Sequence, residues 1–252
     1  MIYYNTRKHK PIFIFGHRGA PKILYENSID SILKSIELGA DGIEVDIQIT
    51  KDNKIILFHD DYIVSNNTHL CIIQEMNYKT IINLCLHNNI PKPALIDDLI
   101  DIIKNHTSTV FNIEIKSSSF NNTKILRQIF SKIPINILND RCIISSFNPL
   151  LLYQLKLQFS YKGSIGFILA SKKIKKWRGL IFNKILMYVL KPSFLHMNVN
   201  YITKSLISWA HKNNMLINTY TVNDLSTLER CISLHIDGIF TDNHNLYHSK
   251  NQ

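Results

Sequence analysis

The 252-residue sequence predicts an α/β protein built on one closed sheet of eight parallel strands, and three observations carry that prediction. Short apolar strands alternate with stretches of helical periodicity eight times, the strands starting near residues 12, 42, 110, 142, 163, 195, 216 and 238. The segments between them are long enough for the crossovers that parallel strands require. Polar and charged residues gather at the strand ends, as they do at the C-terminal face of a barrel of this kind. The expected architecture is a single (β/α)8 TIM barrel with a β-hairpin extension after the second barrel strand. The expected core is about residues 12–243, and the polar residues 244–252 are expected to fray.

The first strand is Ile12-Phe13-Ile14-Phe15, a buried-type run broken by Gly16 and followed at once by His17-Arg18-Gly19. The next helix has Asn27 or Ser28 to cap it, Ile29, Ile32, Leu33 and Ile36 on one face, and Gly39 to stop it. Gly42–Ile49 then alternates strictly, with Glu44, Asp46 and Gln48 on one face and Ile43, Val45, Ile47 and Ile49 on the other. Central strands of parallel sheets are usually apolar on both faces. Two carboxylates at this spacing therefore either share a cation inside the protein or lie wetted on an edge strand, and the strand alone supports both readings. The turn at Lys51-Asp52-Asn53 is too short for a parallel crossover, so Lys54–Asp60 folds back and returns His59 to the acid pair, opposite about Val45.

Residues 61–93 read as a connection with weak helical signals, and a proline-led helix follows with Leu95, Ile96, Leu99, Ile100 and Ile103 as its apolar positions. Val110–Lys116 repeats the alternation, with Asn112, Glu114 and Lys116 on one face, so two strands bring three carboxylates and a lysine towards one space. A helix near Asn122–Ile133, a strand Cys142–Phe147, a helix from Asn148-Pro149 and a strand Gly163–Leu169 come next. Ser193–Asn198, a helix through Leu206, Ile207 and Ala210, the strand Leu216–Val222, a helix capped by Asn223-Asp224 and the strand Asp237–Asp242 complete the series.

Oxygen-only donors suit one hard divalent ion, Mg²⁺ or Ca²⁺, held by Glu44, Asp46 and Glu114. Arg18 and Lys116 can balance the charge of an anionic group held beside such an ion, and His17 and His59, whose unperturbed pKa lies near neutrality, suit acid and base roles.

The ordered set His17-Arg18-Gly19, Glu26-Asn27, Glu44-x-Asp46, His59-Asp60, Ile113-Glu114-Ile115-Lys116 and Ser146-Phe147-Asn148-Pro149 resembles the glycerophosphodiester phosphodiesterases. The resemblance covers nearly the whole chain. It implies hydrolysis of glycerophosphodiesters to sn-glycerol 3-phosphate and an alcohol, with the same histidines as acid and base and the same carboxylates on the metal. It also implies substrate contacts from Glu26, Asn27, Phe147 and Tyr220, although Asn27 reads equally as a helix cap. The chain departs from the family pattern at three places. Tyr220 replaces the usual Trp of the W-T-V-N motif, His244 replaces a proline after the final T-D pair, and the loop Tyr62–Thr68 lacks the usual arginine. These departures alter the rim of the site. A lysophospholipase D using the same centre is the alternative reaction, and a non-catalytic barrel binding phosphodiesters or lipid surfaces is the alternative outside enzymes.

A hydrophobic content of 45% and a charged content of 19% are those of a globular protein. No run of 18 or more uncharged apolar residues is present, and the N-terminal basic segment leads directly into the first strand instead of a cleavage site, so a cytoplasmic protein is expected. Cys71, Cys85, Cys142 and Cys231 show neither metal spacing nor a disulfide framework. A net charge of +10 suits an anionic substrate or surface, and no nucleic-acid motif accompanies it, so no nucleic-acid partner is expected. Residues 172–190 combine a basic cluster with Trp177 and an apolar stripe. They read either as an ordinary barrel helix behind a solvated loop or as a helix that makes peripheral membrane contact. The preferred head-group alcohol and the oligomeric state are open at this level.

Overall fold

The computed structural model describes residues 12–65, 69–117, 122–169 and 187–251. Its central feature is a closed parallel sheet. The barrel strands are β1 (Phe13–His17), β2 (Gly42–Ile49), β6 (Val110–Ile115), β7 (Cys142–Ser146), β8 (Ser164–Leu169), β9 (Phe194–Asn198), β10 (Leu216–Tyr220) and β11 (Gly238–Thr241). Each pairs with the next in that order, and β1 closes the ring by pairing in parallel with both β2 and β11. The described helices between barrel strands are α1 (Ile29–Glu37), α2 (Tyr78–His87), α3 (Ile96–Asn105), α4 (Thr123–Lys132), α5 (Ile135–Arg141), α6 (Pro149–Gln158), α7 (Lys204–Lys212) and α8 (Leu225–Ser233).

Closure decides the ambiguity of the second strand. β2 lies between β1 and β6, so Glu44 and Asp46 are not on an exposed edge; both are buried. Period-two alternation sends Ile43, Val45 and Ile47 outwards into a large apolar layer shared with the helices, including Ile32, Leu99, Ile103 and Leu126. The other face of the strands fills the barrel. Phe13, Phe15, Val110, Ile143, Phe194, Leu216 and Phe240 form a separate apolar plug there. Stepping two residues along each strand towards its C-terminal end replaces that plug by polar side chains: His17, Asn112, Ser145, His196 and Asn218. Gly166 makes room for one of them, because a Cβ there would sit 2.7 Å from Cε1 of His196.

Residues after β2 depart from a plain barrel. β3 (Ile55–Leu57) runs antiparallel to β2, with Leu57 opposite Ile47, and carries the chain back to the mouth. The following stretch, expected to be a connection with weak helical signals, adds a second hairpin before the helix that those signals mark. Its strands are β4 (Tyr62–Ser65) and β5 (His69–Ile72), and α2 follows them. Ile56, Phe58, Ile63, Ile73, Ile81 and Cys85 give this excursion a small core of its own. Its strands are four residues each, too short for alternation to stand out in sequence.

The tail also differs from expectation. Residues 244–251 do not fray but form 3-10 turns, and Leu246 and Tyr247 are buried, Tyr247 completely. Two apolar side chains within a polar run are enough to anchor it. The Tyr247 hydroxyl shares a 2.8 Å hydrogen bond with Ser35 Oγ and donates to the Gly19 carbonyl at 3.3 Å. Gly16 is required beneath this contact, since a Cβ would lie 2.1 Å from Ser35 Oγ and 2.6 Å from the tyrosine oxygen. Helix α5 had no signal in the sequence reading. All four cysteines are free. The segment 170–186, which contains the basic cluster and most of the stripe read at 172–190, lies outside the described residues. Among the described residues no helix is long and apolar enough to cross a membrane.

Candidate active site

Strand register assembles the centre. Parallel pairing sets His17 beside Glu44, Glu44 beside Asn112, Asp46 beside Glu114, and Glu114 beside Ser145. The side chains of these neighbours share the inward face at the C-terminal end of the barrel, where catalytic groups of this architecture collect. All of them but Ser145 bound a cavity of about 130 Å³ that is also lined by Arg18, His59, Lys116, Phe147, His196 and Tyr220. Nine of the eleven residues expected from sequence therefore line one cavity: His17, Arg18, Glu44, Asp46, His59, Glu114, Lys116, Phe147 and Tyr220.

Glu26 and Asn27 stand behind that wall. Glu26 accepts from Arg18 Nη1 at 3.0 and 2.8 Å through its two oxygens. Asn27 donates to Asp46 Oδ2 and accepts from the Asp46 backbone N–H, both at 3.0 Å. The helix cap is Ser28, whose side chain accepts from Ser31 N–H. Asn27 instead adopts φ 56°, a left-handed conformation that asparagine tolerates better than most residues. The cap reading of Asn27 is thus replaced by a bond to a buried acid.

Two cations brace the acids. Lys116 Nζ lies 2.6 Å from Glu114 Oε1 and 3.1 Å from Asp46 Oδ1, and Arg18 Nε lies 3.3 Å from Asp46 Oδ2. Burial would raise the Asp46 pKa, but Lys116 and Arg18 outweigh it and hold Asp46 below the ordinary carboxylate range. Burial would lower the Lys116 pKa, and Asp46 and Glu114 instead hold it above its usual value. The other two acids respond in the opposite sense. Burial, reinforced by the Asp46 charge, pushes Glu44 up to about 8 and Glu114 up to about 7.

Ligand atoms of Glu44, Asp46 and Glu114 all lie within 4.8 Å of one another. Glu44 Oε1 is buried with no hydrogen-bond partner. An orphaned carboxylate oxygen, two acids kept from ionising by burial, and an all-oxygen donor set fit a hard divalent cation. These residues are the ones that would hold it.

Both histidines are oriented by carboxylates, a feature the residue types alone did not reveal. His17 Nδ1 is 2.7 Å from Asp242 Oδ1, while its Nε2 is 3.8 Å from Glu44 Oε2. Asp242 is held in turn by Asn223, which donates to its Oδ2 at 2.8 Å and accepts from its backbone N–H at 2.9 Å. Burial would lower the His17 pKa, but the bond to Asp242 and the charge of Glu44 hold it above normal. His59 Nδ1 is 2.7 Å from Asp60 Oδ1, and Gln48 Nε2 pins the loop beneath by donating to the carbonyls of Phe58 at 3.0 Å and Asp60 at 2.7 Å. The signal for Asp242 was its position at the end of the last strand. Its partner stands 225 residues away, and only closure of the ring brings the two together.

Residues 17–246 match the model of the glycerophosphoryl diester phosphodiesterase family. The chain belongs to that family. It is thereby an enzyme of the phosphoric diester hydrolase class. A glycerophosphodiester phosphodiesterase of Caldanaerobacter subterraneus is 27% identical over 238 residues, covering 91% of this chain and 93% of the relative. Among solved structures, one described as a putative glycerophosphodiester phosphodiesterase from Galdieria sulphuraria superposes with a TM-score of 0.80 at 18% identity, covering 94% of this chain and 96% of that one. A phosphodiesterase of Oleispira antarctica, solved with the product sn-glycerol-3-phosphate, superposes with a TM-score of 0.74 at 17% identity over 95% and 96% of the two chains. At these identities the structural matches speak for the barrel, and the family model speaks for membership.

Proposed function

We propose that this phosphodiesterase hydrolyses glycerophosphodiesters to sn-glycerol 3-phosphate and an alcohol, with His17 and His59 exchanging the protons. One observation carries the reading. Two histidines, each bonded at Nδ1 to a carboxylate 2.7 Å away, line the same cavity as the acid cluster. A carboxylate at Nδ1 fixes the tautomer and turns Nε2 towards the reacting atoms. One ring then takes a proton from the attacking oxygen and the other gives one to the departing alkoxide, on opposite sides of phosphorus.

Glu44, Asp46 and Glu114 would hold Mg²⁺ or Ca²⁺, which supplies Lewis-acid polarisation of a phosphate oxygen when bound. Lys116 and Arg18 supply fixed positive charge to the other oxygens. Glu26 aims Arg18 and Asn27 aims Asp46, so both are positioning residues in this reading. Phe147 and Tyr220 wall the cavity, and the smaller Tyr220 ring, whose hydroxyl donates to the Leu169 carbonyl at 3.4 Å, narrows it less than an indole. The product named in the Oleispira structure is the one expected here.

The test is release of glycerol 3-phosphate from glycerophosphocholine with added Mg²⁺ or Ca²⁺, for wild type and His17→Ala. Release that needs the ion and disappears in the variant supports the reading. Equal release by the variant removes His17 from the chemistry, and no release by wild type with either ion removes this substrate.

A further inference from the structure

We infer that Gln48 is a positioning residue for His59. Its side-chain amide gathers the carbonyls of residues 58–60 and so fixes the second histidine against the acid cluster. The inference rests on the phosphodiesterase reading, in which His59 exchanges a proton, and it gives a role to a residue that does not itself line the cavity.

Gln48 shares the inward face of β2 with Glu44 and Asp46 and is completely buried. Its Nε2 lies 3.0 Å from the Phe58 carbonyl, 3.4 Å from that of His59 and 2.7 Å from that of Asp60. Successive carbonyls of an extended chain point to alternate sides. Three that converge on one atom require a bend, and their dipoles repel one another unless a donor sits at the focus. Only the nitrogen end of an amide can meet three acceptors, so the bonding fixes the orientation of the group. The amide oxygen, Oε1, is buried with no partner. Every hydrogen bond of this side chain therefore goes to the loop, and the unsatisfied acceptor that accompanies it costs stability. A methionine would fill similar space without that cost, so the amide answers a need of the loop and not of the core.

The need is visible in how the loop is held. Phe58 N–H donates to the Asp46 carbonyl at 3.1 Å, and Ile73 N–H donates to the Asp61 carbonyl at 3.0 Å. Between those ties stand His59 and Asp60, and the carboxylate of their 2.7 Å contact is 67% exposed. Water competes for so open a contact, which on its own holds the ring weakly. His17 differs, because its partner Asp242 is gripped by Asn223 through two hydrogen bonds. Gln48 gives the second histidine, through the backbone, the support that Asn223 gives the first through a carboxylate. Asp46 belongs to the acid cluster and also takes the Phe58 N–H on its carbonyl, and Gln48 follows two residues later. One strand thus sets the distance between histidine and acids.

The test uses Gln48→Met, which keeps the length of the side chain and removes its donors, and Gln48→Asn, which holds the amide one methylene short. Each should lower kcat on glycerophosphocholine at least about tenfold. KM, and the calorimetric affinity for whichever of Mg²⁺ and Ca²⁺ supports turnover, should stay within about twofold of wild type. In a His59→Ala background neither substitution should slow the enzyme further, since the side chain it positions is gone. Nitrogen-15 NMR gives a readout independent of turnover. At mildly alkaline pH, where imidazole is neutral, His59 of wild type should hold the Nδ1–H tautomer that donates to Asp60, and both variants should shift it towards the Nε2–H form. Wild-type kcat in both variants, a loss of ion affinity that matches the loss of rate, losses additive with His59→Ala, or an unshifted tautomer each overturns the inference. So does a barrel that cannot fold without Gln48. Absence of turnover by wild type counts against the phosphodiesterase reading instead, and the NMR comparison then still decides whether Gln48 sets His59.

Discussion

Asp242 Oδ1 lies 2.7 Å from Nδ1 of His17, so the end of the last barrel strand sets the ring carried by the end of the first. The aspartate does not line the cavity. Its Oδ1 faces His17, and Asn223 holds it from the far side with two hydrogen bonds.

Replacing Asp242 by Asn keeps the shape of this contact and permits the amide to present a donor to Nδ1, which favours the wrong tautomer. The expected result is a fall in kcat of at least about tenfold and up to about 10⁴-fold with KM little changed, the span between a partner that orients a ligand and one that sets a catalytic histidine's tautomer. Steady-state rates on glycerophosphocholine measure it. An Asn variant with wild-type kcat at every pH would show that the contact is structural.

Cation binding should release protons. With burial and the Asp46 charge lifting Glu44 to about 8 and Glu114 to about 7, both acids are largely protonated near pH 6.5 and must ionise to bind an ion. Affinity for Mg²⁺ or Ca²⁺ should therefore weaken as pH falls through this range. Calorimetry in buffers of different ionisation enthalpy should find more protons released near pH 6.5 than at pH 9. Equal release at the two values would contradict the assignment of these acids to the ion.

His196 sits in the polar layer beneath the site, fully buried, with its Nε2 3.3 Å from Asn218 Nδ2. Burial pushes it down to about 3, from an ordinary 6.5. Between those values the unfolded chain binds a proton that the folded chain refuses. Folding stability should then fall with decreasing pH, by about 1.4 kcal/mol per unit from this residue, and the loss starts as pH drops through 6.5. Urea unfolding of wild type and His196→Gln from pH 7.5 to 5 tests the sign: the glutamine variant should show the shallower dependence, and parallel curves would sink the idea.

Tyr247→Phe removes the hydroxyl that bonds to Ser35 and the Gly19 carbonyl. The expected loss of stability is about 1 kcal/mol, larger if Ser35 Oγ is left without a partner. Because Gly19 belongs to the loop after His17, a lowered kcat should accompany it. Denaturant midpoints and initial rates read the two effects separately, and an unchanged midpoint would mean that the tail is not anchored by this bond.

Much of the fold was legible because the barrel writes itself into strand alternation. Glu44, Asp46 and Glu114 interrupt apolar strands at a period of two, and that inversion on two strands pointed to one shared interior before any geometry was known. The parts that escaped have local reasons. β4 and β5 are too short to show periodicity, Tyr247 is one aromatic in a polar run, and α5 follows α4 after only a proline-containing turn. Asn27 illustrates a different limit. Its position before a helix is what a cap would have, and only the left-handed backbone turns its amide to Asp46 instead. The carboxylate partners of the histidines split in the same way. Asp60 follows His59 directly, whereas Asp242 could be paired with His17 only through long-range closure.

Closure of the ring has a consequence for how the protein is made. β1 leaves the ribosome before every other barrel strand, yet one of its two sheet neighbours, β11, the aspartate that orients His17 and the tyrosine that bonds to Gly19 all emerge after residue 237. Until β11 has emerged, His17 stands on a strand with one side unpaired. The reactive centre is therefore completed only after the last barrel strand has emerged, and a ribosome stalled before that point carries a chain with its acids in place and its first histidine unaimed.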